Sequence, residues 1–172
     1  MLLPESFPSS LEMLLRPKQP GSLLEPLRRL QAGFTVAQDR RQGGYLRHPP
    51  AVAAYGAFYG LRTATKVHRL LNELQARPQS VLDLGAGTLG GALGAVVACP
   101  SIQEVYGIDR SRQALQWGSE RLHAHSPDLA IKTFSGDLLH RKTRLPSADL
   151  VLAANVLDEF RHARDRQRLS EP

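Results

Sequence analysis

Val81-Leu82-Asp83-Leu84-Gly85-Ala86-Gly87-Thr88-Leu89-Gly90-Gly91 reads as a strand, a tight turn and the start of a helix. Ser80 to Leu84 is apolar at most positions, as in a strand buried on both faces. Gly85 and Gly87 permit a sharp turn and close backbone approach to a ligand. Small residues then continue in helical fashion to Ala98. Working outward, Val105 to Ile108 is a second strand, and Ser111 caps a helix to about His125. Ala130 to Phe134 is a third strand and Leu150 to Ala153 a fourth, with helix expected from Leu157 to Leu169. Strands that alternate with helices imply an α/β fold with a doubly wound, mainly parallel sheet.

Gly85, Gly87 and Gly90 fit a pattern shared by dinucleotide sites and by sites for S-adenosylmethionine. Asp83 chooses between them. A carboxylate at the end of the strand repels a pyrophosphate but attracts the ammonium and sulfonium of S-adenosylmethionine. Asp109 ends the second strand, 26 residues after Asp83, where an acid accepts ribose hydroxyls. Dinucleotide sites share that acid, so it supports a nucleoside without choosing one. Asp137 follows the third strand, with Leu138 beside it. Its carboxylate could take the adenine amine while Leu138 packs on the ring. Ala86 and Arg110 adjoin these positions. Asp149 to Asn155 ends the fourth strand beside the same cleft. A lone Asp after a strand is often just a turn or cap residue. Four such pieces in order, each at a strand end, favour the S-adenosylmethionine site.

Asp83, Gly85 and Gly87 resemble the first motif of class I, Rossmann-like methyltransferases, Asp109 the second and Asp137 the third. A narrower resemblance covers roughly residues 40 to 160. Tyr45-Leu46-Arg47-His48-Pro49-Pro50-Ala51, then Tyr55, the Asp83 turn and Asp109-Arg110-Ser111 are similar to the mitochondrial small-ribosomal-subunit methyltransferase-like proteins and their bacterial relatives. That resemblance implies an S-adenosylmethionine-dependent methyltransferase associated with rRNA or the small ribosomal subunit. It equally admits a non-catalytic cofactor-binding assembly factor, and a small-molecule methyltransferase remains a third reading. Asn155 is the candidate to touch a substrate. Ala153-Ala154-Asn155-Val156 lacks the Pro-Pro-aromatic loop of enzymes that methylate exocyclic base amines. Thr88-Leu89-Gly90 makes the turn one residue longer than the family's. The cysteine-rich region of some members is absent, so no iron–sulfur cluster carries over. The sheet of this class has more strands than four, so the chain is expected to hold the N-terminal half of the fold.

Composition narrows the rest. In 172 residues, 42% are hydrophobic and 22% charged, a globular balance. One cysteine, Cys99, can build neither an internal disulfide nor a thiolate metal site. His123 and His125, two apart on a helix, diverge, so no metal site is expected. No apolar run is long enough to span a bilayer, and the opening residues, with Glu5 and two prolines, lead us to expect no secretory signal. The expected compartment is cytoplasmic. Lys and Arg total 22 against 16 acids, a formal charge of +6, which suits a polyanionic partner. Three basic groups stand out: Arg40, Arg41 and Arg47; Arg141, Lys142 and Arg144; Arg161, Arg164, Arg166 and Arg168.

Residues 1–49 read as a proline-rich helical extension with helix starts at Ser9 and Ser22, followed over 31–49 by a basic loop or frayed segment that holds Gly33, Gly43 and Gly44. Residues 50–172 read as the methyltransferase-like domain. Ala51 to Gln75 has the spacing of one helix, stopped by Arg77-Pro78. The oligomeric state is not legible in the sequence.

Overall fold

The computed structural model describes residues 20–35, 46, 48–138, 140 and 145–156. The expected helices at Ser9 and at Leu157–Leu169, with Asp158 and Glu159, lie outside these residues. So do the three arginine-rich groups.

A 3-10 turn at Pro20–Leu23 leads into α1, Leu24–Thr35. The helix thus starts two residues after Ser22 and continues through Gly33, where a loop was expected. Pro26 is tolerated because it sits in the first turn, whose N–H groups lack helical partners. The expected helix over 51–75 is corrected to three pieces: α2, Pro49–Tyr55; a π-helical turn, Gly56–Gly60; and α3, Leu61–Leu74. Helical periodicity is blind to this extra residue per turn. The glycines at its two ends sit close against the rest of the fold. A side chain at Gly56 would strike the Trp117 ring, and one at Gly60 would stand 2.8 Å from Thr88 Oγ1.

Then follow β1, Ser80–Leu84; α4, Gly90–Ala98; β2, Glu104–Asp109; α5, Arg112–His125; β3, Ala130–Ser135; and β4, Leu150–Leu152. The sheet is all parallel with order β3-β2-β1-β4. The α/β, doubly wound reading therefore holds. The chain moves outward from β1 to β3, then returns to β1's other side with β4. The crevice at the carboxyl ends of β1 and β4 is the switch point where such sheets bind ligands.

Strand alternation assigns the two faces. Val81, Val105, Ile131 and Leu150 join the main core with residues of α3, α4 and α5. Leu82, Leu84 and Ile108 form a second cluster on the other face, joined by Tyr106, Leu138 and Ala148. β1 is buried from both sides, which explains its unbroken apolar reading.

Small residues set how closely the helices approach. A Cβ on Gly90 would lie 2.6 Å from the carbonyl oxygen of Gly60, and one on Gly94 would strike that of Ala64. Gly60 and Ala64 therefore face Gly90 and Gly94 along one seam between the π turn with α3 and α4. This seam seats the arm formed by α2, the π turn and α3 directly over the glycine turn. At the opposite end of the sheet, Asp149 staples β4 to β1. Its carboxylate accepts from the Gln79 and Ser80 N–H groups at 2.9 and 3.0 Å. These bonds hold its carboxyl below the ordinary aspartate range.

Candidate functional site

The turn after β1 is built from both sides. Gly85 and Gly87 have φ of 65° and 51°, the left-handed region that L side chains rarely adopt. At Gly85 a side chain would also strike Val156. The Ala86 N–H donates to the Ile108 carbonyl at 3.0 Å. The Gly87 N–H donates to Asp109 Oδ2 at 2.9 Å. Asp109 thus fastens the turn to the end of β2. Its other oxygen accepts from the Ser111 N–H at 2.7 Å. Ser111 then caps α5 by accepting from the Ala114 N–H, and its hydroxyl donates to the Leu46 carbonyl. Leu89, at the end of the turn, is also left-handed at φ 57°. Its fully buried side chain sits against Gly107 and holds that strained backbone in place.

Asp83 points to the helix side of the sheet, beneath the start of α4. Its Oδ2 accepts from the Ala92 N–H at 2.9 Å. Glycine at 91 leaves the space for this carboxylate, since a Cβ there would stand 2.7 Å from Oδ2. Burial raises the Asp83 carboxyl to about 7, against the pull of the Ala92 N–H and with the repulsion of Asp109 added. Burial also raises Asp109, opposed by the Ser111 and Gly87 N–H groups. Two acids held close together out of water disfavour an anionic ligand and favour a cationic one.

A cavity of about 20 Å³ lies over Asp83, lined also by Tyr55, Thr63, Gly85, Ala86, Thr88 and Ala154. It is large enough for one small polar group. Thr88 Oγ1 lies at this wall, buried and with no hydrogen-bond partner among the described residues. A buried carboxylate near neutrality and an orphaned hydroxyl together fit an ammonium-bearing group. The rest of a nucleoside-sized ligand would lie outside this cavity, toward Asp109.

Other expected residues are placed as follows. Asp137 accepts from Arg110 Nη2 at 2.9 Å, both side chains half-exposed, at the ends of β3 and β2. Arg110 is therefore an ion-pair partner of Asp137. Leu138 packs with the second-face cluster. Asn155 is left-handed at φ 65°, a conformation asparagine tolerates. Its Nδ2 donates to Thr63 Oγ1 at 3.1 Å, and Lys66 Nζ lies 3.5 Å from its Oδ1. The site thus gathers Asp83, Gly85 and Ala86 at the cavity, Gly87 and Asp109 beside it, and Asn155 at the rim.

Tyr55, Thr63, Thr88 and Lys66 escaped the sequence reading as site residues. Tyr55 registered as part of the family resemblance and of a helical pattern, without a role at the site. Its ring stands 3.3 Å from a Cβ placed on Gly87. The Gly60-x-x-x-Ala64 and Gly90-x-x-x-Gly94 pair was the available signal that α3 crosses the turn closely.

The fold has solved counterparts. The 16S rRNA methylase RmtB is 18% identical, with 88% of this chain and 56% of that one covered and a TM-score of 0.50. The YcgJ protein of Bacillus subtilis is 20% identical, covering 61% and 44%, at 0.48. The plantazolicin methyltransferase BpumL, solved with SAH, is 15% identical, covering 94% and 57%, at 0.46. The likeness to RmtB shows a Rossmann-like methyltransferase fold. The chain spans about half the length of the solved proteins it matches. No curated protein matches it significantly in sequence. The model of a family described as mitochondrial small ribosomal subunit Rsm22 matches residues 49–171, and the chain belongs to that Rsm22 family.

Proposed function

We propose that the chain binds S-adenosylmethionine and serves methyl transfer to RNA of the small ribosomal subunit. The observation that carries this reading is Asp83, a buried carboxylate with a carboxyl near 7, under a glycine turn tied down by Asp109. A pyrophosphate would meet two acids there, whereas an ammonium would meet its counter-charge. When bound, S-adenosylmethionine supplies a methyl group already activated on a sulfonium.

The chain's own part is then binding and alignment. Asp83 and Thr88 would hold the amino-acid end. Asp109 would accept the ribose hydroxyls, and its bonds to Gly87 and Ser111 fix its orientation. Asp137, steadied by Arg110, would stand near the base. Asn155, held by Thr63 and Lys66, would line the acceptor's approach. Family membership supports the small-subunit setting, and the basic charge supports RNA.

One observation favours a binding role without turnover. The Asn155 amide is already engaged by Thr63 and Lys66, which leaves it less free to handle an acceptor. Incubating the chain with labelled S-adenosylmethionine and small-subunit particles separates the two. Transfer of label to rRNA that is lost in Asp109→Ala supports the enzyme. Cofactor binding with no transfer supports the assembly factor.

A further inference from the structure

The outward side of the π turn and α3 has features that neither the core nor the cavity uses. Phe58 and Tyr59 are half-buried aromatics that join none of the hydrophobic clusters among the described residues. The π turn brings them into ring contact. The Tyr55 and Tyr59 ring centroids are 5.3 Å apart, and Phe58 meets Tyr59 edge-on at 5.0 Å. The Arg62 guanidinium lies 5.4 Å from the Phe58 centroid. Arg62, Lys66 and Arg69 then follow one per turn, all exposed. At a rise of 1.5 Å per residue they form a line about 10 Å long. None of the three belongs to an ion pair among the described residues. α3 holds a single acid, Glu73, near its C-terminal end.

This line runs to the lip of the candidate site. Lys66 Nζ is 3.5 Å from Asn155 Oδ1, while Tyr55 and Thr63, on the same arm, line the Asp83 cavity. A row of exposed cations outside any described ion pair, beside an aromatic corner, is the pairing that holds single-stranded nucleic acid. Bases stack on the rings, and the cations meet the phosphates. An acidic peptide would satisfy the cations and leave the rings without planar partners.

We propose that Phe58, Tyr59, Arg62, Lys66 and Arg69 form the surface that receives an unpaired RNA strand and feeds it toward Asn155. The inference rests on the methyl-transfer reading for the direction of entry, but its binding test needs no cofactor. The probe is a short fluorescent oligouridine, followed by anisotropy with the full chain over a range of salt concentrations. The salt dependence of binding becomes shallower by about 1.4 in the log–log slope in Arg62→Gln/Arg69→Gln, since each phosphate contact on a single strand contributes about 0.7. Tyr59→Ala weakens binding about tenfold, as loss of one stacked base does. Both variants keep the wild-type circular dichroism spectrum and bind S-adenosylmethionine as the parent does.

The proposal is overturned if the double variant binds oligouridine with an unchanged slope. It is also overturned if a polyglutamate peptide of equal charge competes fully and Tyr59→Ala has no effect. Loss of cofactor binding in the parent chain with these RNA effects intact would remove the methyl-transfer reading and leave the surface standing.

Discussion

Burial holds a proton on Asp83 up to about pH 7, while an unfolded aspartate releases its own near 3.8. The folded chain therefore binds more protons than the unfolded chain between those values, so stability falls as pH rises through that window. Above about 7 the full penalty of a buried charge is present. Asp83→Asn keeps an oxygen to accept from Ala92 N–H and removes the charge. We expect the variant to be more stable than the parent at pH 8, by about 4 kcal/mol at most. The gain should shrink toward zero near pH 4, as urea titrations at the two pH values would show. The same substitution removes the counter-charge for an ammonium, so affinity for S-adenosylmethionine falls at least a hundredfold. In the parent, cofactor affinity weakens as pH drops below about 7, because Asp83 must then lose a proton to bind. A stability gain paired with a binding loss marks a residue kept for its ligand.

Asp83, Gly85, Gly87 and Asp109 were legible because their chemistry is local. Positive φ demands glycine, and a strand-end acid is either a turn residue or a ligand-binding group. Thr88 and Tyr55 were not legible. Their roles depend on a helix thirty residues upstream crossing the turn.

The seam between α3 and α4 governs that crossing. Gly94 touches the Ala64 carbonyl, which belongs to backbone and cannot turn aside. Gly94→Val should cost about 3 kcal/mol by overpacking and lift the arm off the turn. Thermal unfolding and a loss of protection of the Gly85–Gly91 amides to hydrogen exchange would report it. Gly21→Val serves as the control, since nothing stands within 4 Å of a Cβ there. Four strands and two crossover helices were readable from short apolar runs at the strands, the glycine turn and small residues that open α4, and the cap of α5. Ser111 caps α5 as its position suggested. The π turn was not readable, because an extra residue in one turn leaves the apolar stripe on either side intact. Helix α1 outran its expected end. Gly33 weakens a helix locally, yet α1 continues through it and packs against α2.

Across the chain, the alternation of strands and helices implied a parallel sheet, and the return of β4 to β1 seen in the structure places the crevice. Distance in sequence explains what remained hidden. Thr63 and Lys66 meet Asn155 across roughly ninety residues, and no local pattern reports such a pair. The same topology turns Tyr55 and Thr63 of the arm toward the Asp83 cavity and leaves Arg62, Lys66 and Arg69 exposed on it.

The central claim is that the two acids at the crevice select a cationic nucleoside cofactor. The most direct measurement is calorimetric titration of the chain at pH 8 with S-adenosylmethionine and, separately, with NAD. Micromolar binding of S-adenosylmethionine, no binding of NAD, and loss of the first in Asp109→Ala are the predicted results. Binding of NAD in place of S-adenosylmethionine, or of neither by a chain with native circular dichroism, would contradict the account.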